Sequence, residues 1–280
     1  MNNELTSGII TLKPGREKPV LNRHPWIFSG AIHHSDGRYQ PGDLVTIVGK
    51  DGRFLATAYA NPHSQIHARI LSWDPNEAIN DDFWLRRIRL ALAGRQALDL
   101  EQTTAYRLIN AEADGLPGLI VDKYGDYLVM QCLTLGIDRR KARLVSFLAA
   151  ELQPAGILER SDASVRTKEG LPESNGLLWG TPPPNPLFIQ ENGHTFAVDV
   201  SGGHKTGFYL DQRTNRAIVG APRHVAGKVI LNVFAYTGGF SMSAAAGGAE
   251  NVVSVDASKS ACAAAERNLR RNGFPEAAGL

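Results

Sequence analysis

The chain has 280 residues, of which 43% are hydrophobic, and its formal net charge at pH 7 is +2. This length allows two or three domains, and the near-neutral charge means that any nucleic-acid contact must come from local basic patches. Its two cysteines form no C-x-x-C pair and no apolar segment reaches membrane-spanning length, so we expect a cytoplasmic protein with no disulfide framework, metal or membrane segment.

Residues 1–73 are predicted to form short strands separated by Gly, Pro and Asp turns, as in a small barrel. The turn Asp51-Gly52 lies between two apolar runs and indicates a β-hairpin. The segment 13–28 interleaves cations with Trp26 and Phe28, a pattern that can hold phosphates and stack bases. Alternatively, the aromatic residues belong to the core and the cations are only solvated; we expect the aromatic residues mostly inside. The candidate RNA-binding cations here are Lys13, Arg16, Lys18 and Arg23.

Residues 74–180 are predicted to form a compact α+β domain. Apolar positions at helical spacing, with arginines on the opposite face, predict a helix over 83–92. A hairpin over 119–133 and a helix over 139–152 follow. Cys132 lies in a predicted strand and is interpreted as a small buried residue, not as a nucleophile.

A proline-rich connector precedes the last part of the chain, residues 187–280. There Asn192-Gly193 predicts a second hairpin. The segment 203–213 is dense in polar residues beside glycines. One interpretation makes Asp211 a helix cap, and the other places polar side chains of this segment at a cofactor or an RNA backbone. The side chains concerned are Lys205, Asp211, Gln212 and Arg213.

A strand, a glycine turn and a helix are predicted over residues 229–246. The apolar run 229–233 is typical of a strand buried on both faces, and Gly238-Gly239 separates it from a helix of small residues. A second apolar run ends on Asp256, just under about twenty residues after the glycines, where a carboxylate can meet a ribose. This order is half of a doubly wound nucleotide-binding unit; an ordinary structural α/β layer is the alternative.

The glycine pattern narrows the range of ligands that this unit can bind. A dinucleotide site uses three glycines spaced G-x-G-x-x-G so that the backbone can approach a pyrophosphate, and the third glycine is absent here. S-adenosylmethionine (SAM) contains an adenosine and no phosphate. It needs a backbone turn beneath its methionine part and a carboxylate for its ribose, so the residues favour SAM.

Five segments resemble one known family, in the same order along nearly the whole chain. KPGRE at 13–17 and HPWIF at 24–28 resemble the amino-terminal PUA domain of the bacterial large-subunit rRNA cytosine-C5 methyltransferases. EADGLPGLIVD at 112–122 is similar to the central domain of that family. KTGFYLDQR at 205–213 and NVFAYTGGFS at 232–241 resemble the start of its methyltransferase domain.

The resemblance implies a multidomain α/β protein. Its parts are an N-terminal PUA-like β-barrel (1–73), a central α+β domain (74–180) and a partial Rossmann-like class I methyltransferase domain (187–280). It also implies SAM as cofactor, 23S rRNA as partner and C5 of a cytosine as the methylated position; a homodimer is one oligomeric state left open. The implied cofactor-binding residues are Asp211, Gln212, Phe234, Tyr236, Thr237, Gly238, Gly239, Asp256 and Ser258, and the implied RNA-binding residues are Lys13, Arg16, Lys18, Arg23, Lys205 and Arg213.

The sequence departs from the family pattern near its end. A methyltransferase sheet of this class has seven strands, and the residues after Val229 have room for two strands and two helices. The nucleophilic cysteine of the family, whose thiolate adds to C6 of cytosine and activates C5, is therefore expected beyond Leu280. Cys262 lies among alanines at helical spacing and is interpreted as structural, so we assign no catalytic residue within the chain.

Two other functions remain open. The first is methylation of another rRNA base or position, such as guanine methylation, which needs no cysteine. The second is an RNA-binding fragment without catalytic activity, because half of a sheet leaves an unpaired apolar edge.

Overall fold

The computed structural model describes residues 4–36, 38–98 and 100–274, so the last six residues of the predicted 187–280 domain lie outside the described part. The chain divides into two compact units. None of the helices in the described part is long and apolar enough to cross a membrane. The first unit comprises Met1–Leu98, Arg107–Asp122 and Asp126–Pro182, and the second comprises Asp99–Tyr106, Lys123–Gly125 and Pro183–Leu280.

The first unit begins with a six-stranded sheet. Its strands are β1 (Gly8–Leu12), β2 (Trp26–Phe28), β3 (Ile32–Ser35), β4 (Leu44–Val48), β5 (Phe54–Ala60) and β6 (Ile66–Ser72), with the short helix α1 (Lys18–Leu21) after β1. The strand order is β2-β6-β5-β4-β1-β3. β4 and β5 pair antiparallel across Asp51-Gly52, which confirms the predicted hairpin. Apolar side chains of all these strands except β3 pack into one buried core, against which Ile32 of β3 is partly buried.

A five-stranded sheet of order β11-β10-β9-β8-β7 follows along the chain. The strands are β7 (Ala105–Asn110), β8 (Leu119–Tyr124), β9 (Tyr127–Cys132), β10 (Gly156–Ser161) and β11 (Ser174–Gly180). The helices are α2 (Asp81–Arg95), α3 (Leu135–Asp138), α4 (Lys141–Leu152) and α5 (Val165–Lys168). α2 and α4 confirm the predicted helices. Asn80 precedes α2, and its side chain accepts a hydrogen bond from the Phe83 amide and so caps the helix.

The second unit contains a hairpin and a parallel strand pair. β12 (Leu187–Glu191) and β13 (His194–Val198) pair antiparallel, and both residues of the turn Asn192-Gly193 have positive φ, so the second predicted hairpin is also confirmed. β14 (Val229–Val233) runs parallel to β15 (Asn251–Val255). The helices are α6 (Arg213–Val219), α7 (Pro222–Val225), α8 (Gly239–Ala246) and α9 (Lys259–Arg271).

The strand, turn and helix predicted over 229–246 are present, but the predicted burial of β14 on both faces is wrong. Val229 and Leu231 are 67% and 65% exposed, and Val233 is 49% exposed. In the described residues β15 is the one strand that pairs with β14. The face of β14 that carries Val229, Leu231 and Val233 is not covered by any described element. A strand pattern therefore predicts an element correctly while its burial depends on which other elements pack against it.

Candidate cofactor-binding site

The backbone that leaves β14 takes an unusual conformation. Phe234, Tyr236 and Gly238 have φ angles of 62°, 48° and 81°, a left-handed region that non-glycine residues rarely adopt. Hydrogen bonds hold the segment: the Ala235 amide donates to the Val255 carbonyl at 3.0 Å, and the Gly238 amide donates to the Ala235 carbonyl at 2.9 Å. Such strain persists only where its surroundings enforce it, and it clusters at functional sites.

Asp256 fixes the other side of this turn. Its Oδ2 accepts a hydrogen bond from the Tyr236 amide at 2.8 Å, and its Oδ1 accepts one from the Ser258 amide at 2.9 Å. These bonds, that from Ser258 most strongly, lower the pKa of the Asp256 carboxyl, so it is ionised at neutral pH. A carboxylate has about four lone-pair positions, and it therefore keeps acceptor capacity for the hydroxyl groups of a ligand.

Aromatic rings line the approach to Asp256. The ring of His204 stacks on that of Tyr236 with centroids 5.0 Å apart, and Tyr209 meets Tyr236 edge to face at 5.4 Å. The His204 amide donates to the Tyr236 hydroxyl at 3.1 Å. The Lys205 ammonium lies 5.0 Å from the centre of the Tyr209 ring. These contacts hold the 204–209 segment beside the turn that follows β14.

A buried ion pair supports the same segment. The Nε and Nη2 atoms of Arg216 donate to the two carboxylate oxygens of Glu191, each at 2.6 Å, and both side chains are 3% exposed. Nη2 also donates to the Tyr209 carbonyl at 2.9 Å, and the guanidinium lies 4.7 Å from the ring centre of Phe208. One side chain of α6 thus joins the β12 strand to the 204–209 segment.

Together these elements enclose a cavity of about 570 Å³, within the range of small-molecule sites. All the predicted cofactor-binding residues line it except Gly238, which lies at the N-terminus of α8 beside it. Asp211 is not the cap residue of α6, because Gln212 takes that place. The sequence did not identify the other lining residues as part of the site, although several of them lie in or near the polar segment 203–213: His204, Phe208, Tyr209, Arg216, Ala235 and Phe240.

The lining matches the chemistry of SAM. The Thr237 hydroxyl oxygen is buried and makes no hydrogen bond to any described residue, so a polar ligand group would satisfy it. The ionised Asp256 suits a pair of ribose hydroxyls, and the Phe234 side chain, 88% exposed, offers an apolar surface beside them. A ligand with a sugar, a flat base and a polar amino-acid part therefore fits these residues.

The predicted RNA-binding cations fall into two groups. Lys13, Arg16, Lys18 and Arg23 are exposed on the first unit, and none of them forms an ion pair with a described carboxylate. Lys205, by contrast, lies in the wall of the cavity beside Asp256. Arg213, also in the second unit, is the first residue of α6 and is not among the lining residues.

Neither cysteine lies in the cavity wall. Cys132 is fully buried, which agrees with its interpretation as a small buried residue, and burial raises the pKa of its thiol. Ligand-type atoms of Cys132, Asp138 and Glu159 lie within 4.8 Å of one another, but the Lys141 ammonium pairs with both carboxylates, at 3.1 and 2.8 Å. We therefore assign no metal to this group. Cys262 is half-buried in α9, with Sγ 3.7 Å from the Asp256 carbonyl oxygen.

Replacing Gly238 with alanine is expected to lower the free energy of unfolding by about 2–4 kcal/mol and to weaken SAM binding. An added Cβ would lie 2.8 Å from the Ala265 Cβ at a residue with φ of +81°. Gly227→Ala is the matched control, because Gly227 has φ of +65° and nothing within 4 Å of the added carbon. The control should cost about 1–2 kcal/mol and leave binding unchanged. Urea unfolding and calorimetry would measure both; equal effects of the two variants would contradict the close contact with α9.

Comparisons with known proteins agree with this architecture. The family model described as a PUA-like domain matches residues 10–73, and the one described as an S-adenosylmethionine-dependent methyltransferase matches residues 160–277. The Ribosomal RNA large subunit methyltransferase I of Shewanella amazonensis is 49% identical over 266 residues, which cover 95% of this chain and 67% of that protein. The protein of the same name from Shewanella denitrificans is 50% identical over 269 residues, with the same coverage.

Solved structures show the same fold. A protein from Streptococcus mutans assigned as a SAM-dependent methyltransferase is 25% identical with a TM-score of 0.80, covering 97% of this chain and 69% of that one. A methyltransferase solved as a complex with SAH (S-adenosylhomocysteine) has a TM-score of 0.81 at 24% identity, covering 98% and 69% of the two chains. The predicted fold class, a PUA-like domain followed by a SAM-dependent methyltransferase fold, is confirmed.

Proposed function

The chain belongs to the family of the Ribosomal RNA large subunit methyltransferase I proteins, and we propose that it methylates C5 of a cytosine in 23S rRNA. SAM is its cofactor, as the methyltransferase family model indicates. The observation that carries the proposal is the cavity beside Asp256, where an ionised carboxylate, a buried unsatisfied hydroxyl and aromatic rings suit this methyl donor. A ribosomal substrate would place the protein in the cytoplasm.

The residues of this chain would bind and orient the donor. Asp256 would accept hydrogen bonds from the ribose hydroxyls, and the left-handed turn at Tyr236 would bring the backbone beneath the methionine part. When bound, SAM supplies an electrophilic methyl group. Cytosine C5 becomes nucleophilic only after a thiolate adds to C6. C5 would then take the methyl group, and removal of the C5 proton by a base would expel the thiolate and restore the C5–C6 double bond. The target base must also leave its stack, which favours unpaired RNA.

A second candidate, RNA binding without methyl transfer, is favoured by the environment of the two thiols. Burial raises the pKa of Cys132, which disfavours a thiolate, and Cys262 is not among the residues that line the cofactor cavity. The exposed apolar face of β14 also favours it, since helices cover both faces of the sheet in a complete doubly wound domain.

An assay of methyl transfer to RNA distinguishes C5 methylation from methylation of another position and from RNA binding alone. Unmethylated 23S rRNA would be incubated with the 280-residue chain and SAM tritiated on its methyl group, and the RNA digested to nucleosides. Tritium in 5-methylcytidine would support the proposal, and it would show that Cys132 or Cys262 supplies the thiolate, against the interpretation of both as structural residues. Tritium in another nucleoside would favour methylation of a different base or position, and binding of both SAM and RNA without any label would favour the second candidate.

Changing Lys13, Arg16 and Lys18 together to alanine is expected to reduce the salt dependence of RNA binding. Each phosphate contact on a single strand adds about 0.7 to the slope of log K against log salt, so three contacts account for about 2. Lys50, Arg53 and Lys168, which are also exposed, form the control triple variant of equal charge. Binding titrations at several salt concentrations would measure the slope. If both triple variants reduce it equally, the 13–18 segment has no special part in RNA binding.

A further inference from the structure

A second cavity, of about 470 Å³, lies in the second unit between α9 and the loop that follows β13. It adjoins the cavity beside Asp256, because four residues line both of them: His204, Tyr236, Thr237 and Ser258. The six residues predicted to bind RNA are not among its lining residues. A ligand in this second cavity would therefore touch the wall of the SAM site without using any of those predicted contacts.

One face of α9 forms a wall of the second cavity. Ser260, Ala264, Arg267 and Arg271 follow one another at spacings of four, three and four residues, so they share one face of the helix. The first three of them line the cavity. The short side chains of Ser260 and Ala264 leave its space open, and Arg267 supplies a guanidinium to its wall.

α9 is much more basic than the chain as a whole. Its charged residues are Lys259, Arg267, Arg270, Arg271 and a single acid, Glu266, which gives the helix a net charge of +3, whereas the whole chain has +2. Arg270 pairs with Glu266 at 2.8 Å. Arg267 and Arg271 pair with no carboxylate in the described part of the chain. Two arginines on the face beside the cavity are thus available to an anionic ligand.

The helix dipole explains only part of this charge. The negative partial charge at the C-terminus of a helix stabilises cations in its last turn, which holds Arg270 and Arg271. Arg267 lies before that turn, and Lys259 is the first residue of the helix, where a cation is unfavourable. An anionic ligand beside α9 accounts for the guanidinium of Arg267 in the cavity wall.

An aromatic ring holds Arg271 in place. Its guanidinium lies 4.2 Å from the ring centre of Phe188, which belongs to β12 and is 46% exposed. Phe188 alternates along β12 with the buried residues Leu187 and Ile189, so its ring points away from the core. An arginine that already lies on an aromatic ring loses less rotamer freedom when it binds a phosphate.

The polar groups of the second cavity also suit a phosphate. The hydroxyl oxygens of Ser258 and Ser260 lie 2.9 Å apart, and whichever of the two donates, the proton of the other remains for a ligand. The acid in the wall, Asp199, accepts backbone hydrogen bonds from Ser201 and Gly202, which offset its negative charge.

We propose that this face of α9 binds the backbone of the substrate RNA beside the SAM site. One phosphate lies on Arg267 in the second cavity, and the next lies on Arg271. The two arginines are four residues apart, about 6 Å along the helix axis, a spacing that successive phosphates of an RNA strand can match. The inference rests on the proposed function, because it requires an RNA substrate, and it gives the methyltransferase unit a surface of its own for that RNA.

Salt-dependent titrations of the full 280-residue chain with a fluorescent ten-nucleotide single strand test this surface. Changing Arg267 and Arg271 together to glutamine should lower the slope of log K against log salt by about 1.4, because each lost phosphate contact removes about 0.7. At 0.1 M salt this corresponds to a loss of affinity of about 25-fold. Phe188→Ala keeps both charges, so it should leave the slope unchanged and weaken binding only about two- to fivefold, the effect of one exposed cation–π contact.

A matched control changes Arg223 and Lys228 together to glutamine. Both are exposed cations of the same unit, and they precede β14, whereas the turn of the SAM site follows that strand. The control should leave the RNA affinity and its salt slope unchanged. Neither double variant should change the SAH affinity, because none of the four residues lines the cavity beside Asp256. An equal loss of RNA affinity in both double variants would overturn the proposal.

Poly-glutamate is a second probe, because an acidic protein would also fit a basic surface. If the Arg267 and Arg271 double variant loses affinity for poly-glutamate and keeps that for RNA, the surface takes an acidic protein and the proposal is overturned. If the wild-type chain binds no RNA, the proposed RNA substrate fails together with this surface. If the wild type binds RNA and the double variant binds it equally well, this surface alone fails.

Crosslinking of the wild-type chain makes the test independent of how the variants fold. A single strand carrying 5-iodouridine would be irradiated on the protein, and the joined peptide would be identified by mass spectrometry. Crosslinks to Phe188, His204 or Tyr236, the aromatic side chains beside Arg271 and in the second cavity, are expected. Crosslinks confined to the first unit would overturn the proposal.

Discussion

Replacing Asp256 with alanine should weaken the binding of SAH about ten- to hundredfold. A hydrogen bond to a charged group contributes about 1.5–3 kcal/mol, and the variant removes the carboxylate that we assign to the ribose. It also frees the Tyr236 amide, which now donates to Asp256 at 2.8 Å, so the strained turn loses one of its anchors. Isothermal calorimetry on the wild type and the variant would measure the change.

Asp199→Ala is a matched control for this change. Asp199 also accepts two backbone hydrogen bonds, from Ser201 at 2.9 Å and from Gly202 at 2.8 Å, in the same unit. It does not line the cavity beside Asp256. Asp199→Ala should therefore cost a similar amount of stability and leave the SAH affinity unchanged. Equal affinities of the Asp256→Ala variant and the wild type would refute our placement of the ribose.

The features predicted correctly from the sequence are those set by local chemistry. The turns Asp51-Gly52 and Asn192-Gly193 were recognisable because glycine after Asp or Asn supplies the positive φ angles of tight hairpins. The strand, turn and helix around Gly238-Gly239 were predicted from a continuous apolar run that is followed by a glycine pair and then by small residues. The cofactor assignment used the same local pattern, together with a carboxylate at the end of the next strand. The three-part division at 1–73, 74–180 and 187–280 stays a prediction.

The features that were missed depend on contacts between residues far apart in the chain. Tyr236 contacts His204, 32 residues earlier, and no periodicity in the sequence links the two. The burial of β14 was wrong because it depends on which elements cover the strand. The aromatic residues of the 13–28 segment were expected mostly inside, and this prediction is wrong for Phe28. Its strand, β2, lies at the edge of the sheet, and Phe28 is 49% exposed.

The ion pair of Arg216 with Glu191 could not be predicted from the sequence either, since the two residues lie 25 positions apart. Replacing Arg216 with methionine should lower the free energy of unfolding of the second unit by about 3–5 kcal/mol, because Glu191 would remain buried without its counter-ion. The SAH affinity should fall as well, since the Tyr209 carbonyl loses its donor and the 204–209 segment loosens. Hydrogen exchange of peptides from residues 187–274 would report this loss, because all four tryptophans of the chain lie in the first unit.

Two further variants separate the buried charge from a general loss of packing. Arg270→Met breaks an exposed pair with Glu266 one helical turn away and should cost only about 0.5 kcal/mol. Combining Arg216→Met with Glu191→Leu removes both charges, and it should recover most of the stability lost in the single variant, because a buried pair replaced by apolar residues is often neutral. If the double variant is as unstable as Arg216→Met, the loss comes from the contacts of Arg216 with Tyr209 and Phe208, and the charge of Glu191 is not its cause.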